Sequence, residues 1–516
     1  MKTRERTLRN TAFSSVGIYT EYFLGMLAAI MIARHLEPAG YGAYGLFMWF
    51  VAAGVVITNS GVTTGVIKFV AELRGSGGEA LIVPAIRRLR HAQRLHLLVA
   101  LVLGAAAWLL LGSRLPVRMD WREFLLLLAA MVMRTAYMFN VAVAKGFEAF
   151  GATAKVALAA APLNLVLVAV AMLLHGSIVW FVLVYAITSA TFLGVSHQQA
   201  QRLLAGLPRD AALPPELRLR MARHLRIVSA TVVISFFISS DVETLFLTLY
   251  DGARAAGYFK VAYQLATGVA LLVPGVFGAL LLPMMAKALS EGRAVAGRRF
   301  AVATSYLALL AAPVVAFGAC FAGAVIALLY GASYAAAAPA FAFIIFSCCV
   351  STTTQGASSL LVSADRQQTV LILTIAFGAL KIALDMLLIA HFGLAGAVSA
   401  IVTETLLSSG AYVTIGMRVG DVRLDWARLS RIALAAAAAA LLALPVRALH
   451  LPPVWTILAG GTLVTVCYLL FTLLFGCWSR GDLEQLRDLH LRFAGGRPRL
   501  LGQLIGRAAE HAGRNG

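Results

Sequence analysis

Apolar residues in this chain fall in long runs rather than in alternation. Leu97–Leu111 reads LLVALVLGAAAWLLL, and Val156–Leu174 and Ile432–Leu444 are of the same kind. A helix needs ~20 mostly apolar residues to cross a bilayer. Fourteen stretches meet that length: 11–33, 43–67, 95–112, 123–144, 154–174, 177–198, 227–250, 258–285, 300–329, 335–362, 368–390, 394–416, 431–449 and 453–477. In lipid a helix satisfies its own backbone hydrogen bonds. A spanning β-barrel would instead alternate apolar and polar residues. The pattern predicts an all-α polytopic membrane protein with about fourteen transmembrane helices.

Composition agrees. The 516 residues are 60% hydrophobic and 13% charged, with a mean hydropathy of +0.85. Average soluble domains are about 45–50% apolar and about 25% charged. The net charge of +20 would suit a nucleic-acid partner, but its placement argues for a membrane. With these spans, 34 of the 43 Lys and Arg fall on one side, seven on the other, and Arg134 and Lys381 inside spans. Such a bias marks the cytoplasmic side. It puts both termini there, attracts anionic headgroups and excludes nucleic acid as a partner. The basic start MKTRERTLRN precedes an apolar stretch too long and too interrupted for a signal peptide, so a retained first helix is expected. Five cysteines (Cys320, Cys348, Cys349, Cys467, Cys477) have no metal-ligand spacing and read as small buried hydrophobes.

The chain repeats itself at an offset of 217 residues. ARHLEPAGY ends at Tyr41 and YDGARAAGY at Tyr258. The same shift sets Leu8-Arg9 on Leu225-Arg226, Gly61 on Gly278, Glu148 on Asp365, Leu163 on Leu380, Gly176 on Gly393 and Thr188 on Thr405. Two six-helix lobes follow, 1–205 and 225–416, joined by a cytoplasmic linker at 206–224. Two further helices lie in 417–478, and an amphipathic tail in 479–516 carries Leu483, Leu486, Leu489 and Phe493. Six is even, so the lobes would enter the membrane in one direction, as a parallel repeat with substrate between them. The repeated Ala-Gly-Tyr corner reads as a tight non-cytoplasmic turn. Its glycine would supply φ > 0 or close packing, and its tyrosine would supply an interfacial hydroxyl.

The basic N-terminus with Asn10, ARHLEPAGYGAYGLF, Gly61, KFVAE at Lys68–Glu72 and HFGLAGAVSA at His391–Ala400 together resemble one family. It is the polysaccharide-transporter branch of the multidrug/oligosaccharidyl-lipid/polysaccharide (MOP) superfamily, with Wzx-type O-antigen flippases among its members. The resemblance implies a MATE-like fold. It also implies movement of undecaprenyl-diphosphate-linked oligosaccharide across the bacterial inner membrane by alternating access through a central cavity. Related lipid flippases carry arginines in the lumen, including on the first helix; this chain has Glu21 there and no Arg between Arg9 and Arg34.

Ionisable groups inside spans are costly and usually face a cavity or a partner. Arg134 and Lys381 are candidates to line a substrate cavity and meet a diphosphate. Asn164 joins them because it stands at Lys381's place in the first lobe. Glu21, Asp241, Glu243, Asp385 and Glu404 are candidates for ion coupling or charge pairing, with Asp385 one turn from Lys381 as its natural partner. A buried carboxylate binds a proton readily, so a coupling proton or monovalent cation is the sole cofactor to consider. Prolines 162, 274, 283, 313 and 339 permit static or gating kinks. No phosphate loop, nucleotide fold or metal cluster is legible, so a transporter is expected rather than an enzyme. The tail reads as a cytoplasmic interfacial helix, with docking of a polysaccharide polymerase or glycosyltransferases as the alternative role. A cation-coupled multidrug exporter, a peptidoglycan-precursor flippase and a membrane-embedded glycosyltransferase are the rival readings. The short outside loops disfavour the last.

Overall fold

A computed structural model of the protein describes residues 2–112, 117, 119–239, 242–272, 275–479, 481 and 483. The side chains of 2–18, 111, 239, 271, 272 and 275–280 are outside that description, as are Asp241 and nearly all of the tail. Every regular element among the described residues is helical. Eleven helical stretches are long and apolar enough to cross a membrane. Two of them, of 57 and 54 residues, each run through an internal break and hold two predicted spans. The predicted span 258–285 lies in two helices on either side of residues 273–274. The protein is therefore a multi-pass membrane protein, and the predicted count of about fourteen stands.

The chain forms two compact units, Met1–Lys260 and Val261–Gly516. The first contains α1 (Lys2–Asn59), α2 (Val62–Gly75), α3 (Ile82–Leu111), α4 (Trp121–Gly146), α5 (Phe150–Leu173), α6 (Ile178–Leu204), α7 (Pro215–Ser239) and α8 (Val242–Tyr250). The division between units falls within α9 (Ala253–Leu272). In α1 the break is at Glu37 (φ 58°, ψ 174°), the residue before Pro38. The proline ring clashes with a helical neighbour on its N-terminal side and removes one N–H donor. The predicted span 43–67 is broken at Gly61 (φ 68°), where Ser229 Oγ donates to Ser60 O at 2.7 Å.

Apolar faces join these helices in two groups. Phe47, Val51, Ala100, Leu127, Met131 and Val182 bring α1, α3, α4 and α6 together. Val66, Phe69, Leu89, Val143 and Met221 do the same for α2, α3, α4 and α7. Side chains on the outer faces, such as Leu109, Leu110 and Leu173, are left exposed. That is the surface a lipid solvent permits.

The repeated corner differs from its expected form. Gly40 and Gly257 both stay helical, and Tyr41 is buried at 3% exposure instead of presenting a wet hydroxyl. Glycine acts here through close approach. A Cβ on Gly257 would collide with Pro38 O, and one on Gly42 with Ala253 O, so α1 and α9 cross backbone to backbone. Small residues let membrane helices approach in this way.

The second unit contains α10 (Gly275–Glu291), α11 (Arg293–Tyr330), α12 (Ala337–Thr353), α13 (Gln355–Ser363), α14 (Gln367–Gly420), α15 (Trp426–Ala443), α16 (Pro445–Ala448) and α17 (Pro453–Leu474). The break in α14 is at Gly393 (φ 51°, ψ −129°), between the two predicted spans. Phe321, Ala435, Ala439 and Tyr468 pack α11, α15 and α17 together, and the Tyr468 hydroxyl donates to Leu309 O at 2.7 Å. Pro162, Pro283 and Pro313 lie inside helices. Pro339 lies in the first turn of α12, where no kink is needed, and Pro274 is outside the described residues. All five cysteines are free thiols.

One turn recurs in detail at the 217-residue offset. The N–H groups of Phe147, Glu148 and Ala149 donate to Val143, Lys145 and Ala144 O at 3.1, 2.9 and 2.9 Å. Those of Ala364, Asp365 and Arg366 donate to Leu360, Val362 and Leu361 O at 2.9, 3.3 and 2.9 Å. Glu148 and Asp365 take φ of 55° and 56°. Both are helix ends closed by a left-handed residue, and every donor and acceptor is displaced by the same number of positions.

Candidate functional site

Three of the sequence candidates meet in the first unit. Glu21 from α1, Arg134 from α4 and Asn164 from α5 line one cavity of about 280 Å³. Periodicity brings its walls together. On α1, Glu21, Gly25, Ala28, Ala29 and Ile32 share one helical face, and the small residues leave the space. On α6, Phe181, Val184, Tyr185, Thr188 and Phe192 recur at the same spacing, while Tyr44 follows the α1 break.

Arg134 is framed by aromatic rings. Its guanidinium carbon lies 4.4 Å from the Phe192 ring centre, 5.1 Å from Tyr185 and 5.6 Å from Tyr137. Its Nε is buried and has no hydrogen-bond partner among the described residues. A guanidinium stays charged in any protein environment. Placing it in a membrane helix costs about 2.5–3.5 kcal/mol on insertion scales. Each ring returns roughly 0.5–2 kcal/mol. The rings thus hold the charge in place while leaving its donors for a ligand.

The neighbouring carbonyl is fixed as well. Gln93 Nε2 donates to Thr135 O at 3.0 Å and to Asn59 Oδ1 at 2.8 Å. Arg90 donates to Asn140 Oδ1 at 2.9 Å, and Asn140 to Ser196 Oγ at 3.3 Å. This polar ladder ties α1, α3, α4 and α6 beside Arg134. Thr188 Oγ lies 2.8 Å from Val184 O and 3.2 Å from Asn164 Oδ1, and its single proton serves one of them.

The remaining candidates lie elsewhere. Lys381 Nζ and Asp385 Oδ2 form an ion pair of 3.1 Å along α14, with side chains 12% and 0% exposed. Glu243 is buried in α8 at 1% exposure and does not line the Arg134 cavity; Glu404 is half-buried in α14. Asp241 is outside the described residues. Sequence reasoning missed the aromatic frame. Its signal is the Tyr185–Thr188–Phe192 stripe, which by periodicity alone is indistinguishable from ordinary core. Among the described residues no group of three His, Cys, Asp or Glu could hold a metal.

Solved structures share this fold. A structure titled lipid II flippase MurJ, inward closed conformation, superimposes with a TM-score of 0.67 at 12% identity, covering 90% of this chain and 98% of that one. An inward-facing multidrug resistance MATE family transporter of the MOP superfamily gives 0.61 at 16% identity, covering 79% and 98%. A MATE bound to MaL6 gives 0.55 at 16%, covering 81% and 96%. At such identities the likeness defines the fold alone. The family model described as polysaccharide biosynthesis protein matches residues 7–289, more than half of the chain. The chain belongs to that family. No curated protein matches its sequence.

Proposed function

We propose that the protein is a flippase for undecaprenyl-diphosphate-linked oligosaccharide repeat units, working by alternating access in the bacterial inner membrane, with both termini cytoplasmic. Its lobes are 1–205 and 225–416. The observation that carries this reading is Arg134, a guanidinium held by three rings on the wall of a cavity. Arg matches phosphate in a forked geometry. A cavity of about 280 Å³ falls at the small end of ligand pockets, which span roughly 300–1,000 Å³. It has room for a diphosphate and not for the sugars, so it reads the group that all such lipids share. Membership of the polysaccharide biosynthesis family supports the substrate class.

Glu21 on the same wall supports a second reading, a cation-coupled multidrug exporter. A peptidoglycan-precursor flippase is a third. Deletion in the native host separates them. Loss of surface polysaccharide, with lipid-linked repeat units retained on the cytoplasmic leaflet, is the expected result. Normal polysaccharide with new sensitivity to cationic drugs would overturn it in favour of the exporter. Arrested peptidoglycan growth with accumulated precursor would favour the third reading.

A further inference from the structure

The first unit carries a second concavity, of about 640 Å³, far more basic than the Arg134 cavity. Arg87, Arg88 and His91 on α3, Arg209 in the α6–α7 linker and Arg218 on α7 line it, with Asp210 as the only carboxylate. Three other basic residues of this region are engaged. Arg220 pairs with Glu72 at 2.8 Å, Arg74 donates to Phe147 O at 2.8 Å, and Arg90 donates to Asn140. The four arginines of the groove make no ion pair or hydrogen bond among the described residues. Four exposed guanidinium groups facing one carboxylate give the groove a net positive field that attracts anions.

The groove has a fixed frame. Leu207 and Leu213 of the linker pack on the apolar cluster that holds Leu89 and Met221. The linker backbone is therefore pinned on both sides of Arg209. Next to the groove the surface turns apolar. One turn beyond His91, Leu95, Leu98, Val99 and Val102 of α3 are exposed. Helix α3 has 30 residues, a length of ~45 Å at 1.5 Å per residue, against ~30 Å of hydrocarbon. Its first ten or so residues thus stand at headgroup level, with the lipid-facing stripe directly below.

We infer that this groove docks the phosphate headgroup of an anionic lipid carrying one or two phosphates, with the lipid chains lying along the exposed stripe of α3. Basic pockets at the ends of membrane helices bind such headgroups. The site is separate from the Arg134 cavity and does not depend on the transport reading.

Full-length protein in maltoside micelles would be titrated with cardiolipin, with zwitterionic phosphatidylcholine and with inorganic pyrophosphate, and binding read by native mass spectrometry. Cardiolipin should bind, and phosphatidylcholine should not. The triple variant R87Q/R88Q/R209Q should weaken cardiolipin binding about 100-fold, roughly fivefold for each basic residue lost at an anionic surface. D210N should tighten it. The charge-matched triple R298Q/R366Q/R423Q, on exposed arginines of the second unit, should leave it within twofold. Equal loss in both triples would reduce the effect to net charge and overturn the site. Unchanged affinity in the groove triple with a normal melting curve would overturn it too. Pyrophosphate binding as tightly as cardiolipin would overturn the lipid and leave a soluble phosphate as the occupant.

Discussion

Asn164 and Lys381 occupy the same place in the 217-residue repeat, and so do Val168 and Asp385. In the first unit Asn164 and Val168 line a cavity whose charge comes from another helix, as Arg134. In the second unit the matching pair is a closed ion bridge of 3.1 Å. Positions paired by the sequence offset thus do different things with charge. The first copy presents a cation to a void. The second places a cation and an anion on one helix, paired through Nζ and Oδ2. A formal positive charge inside a span is therefore a weak guide to a ligand until its nearest carboxylate is located.

The largest effect should come from opening the bridge. Asp385→Ala removes the carboxylate paired with a largely buried lysine and should cost about 3–5 kcal/mol in unfolding measured in detergent. Lys381→Met with Asp385→Leu should regain most of it. If the double variant were as unstable as the single, the pair would have to act through further partners. Arg134→Ala should leave the fold nearly intact yet reduce appearance of lipid-linked oligosaccharide in the outer leaflet by about 100-fold. Arg134→Lys should recover only part, since the ammonium lacks the planar fork that phosphate and rings prefer.

The comparison can also be reversed. Asn164→Lys puts a second cation beside Arg134 and should cost about 2 kcal/mol, less than Asp385→Ala because the cavity admits water. Adding Val168→Asp rebuilds the second unit's bridge in the first and should restore stability while closing the cavity and abolishing transport. The smallest effect tests where the copies still agree. Glu148→Gly and Asp365→Gly each relieve a left-handed residue and should stabilise by roughly 1 kcal/mol, equally within error by thermal unfolding.

Much of this was legible in the chain. The helices were, because lipid forces each apolar run to satisfy its own backbone. At the 217-residue offset the turns at Glu148 and Asp365 share one hydrogen-bond pattern. The i, i+4 spacing announced the Lys381–Asp385 bridge. The Ala-Gly-Tyr corner is no turn: of the two readings of its glycine, Gly257 follows close packing, at a helix crossing with Gly42, and the chain breaks at Glu37 instead. The aromatic frame of Arg134 was not legible, because Tyr137, Tyr185 and Phe192 sit on two helices whose relative rotation no local pattern records.

Sequence alone determined solvent, helix count and a short list of charged positions, since these follow from period, length and composition within single segments. Tertiary structure decided which of those charges are satisfied. Arg134, Glu21 and Asn164 come from three helices, and Arg87 and Arg209 from segments more than 100 residues apart. Whether such groups meet a partner, a ring or a void depends on packing between segments, and only the folded chain settles that.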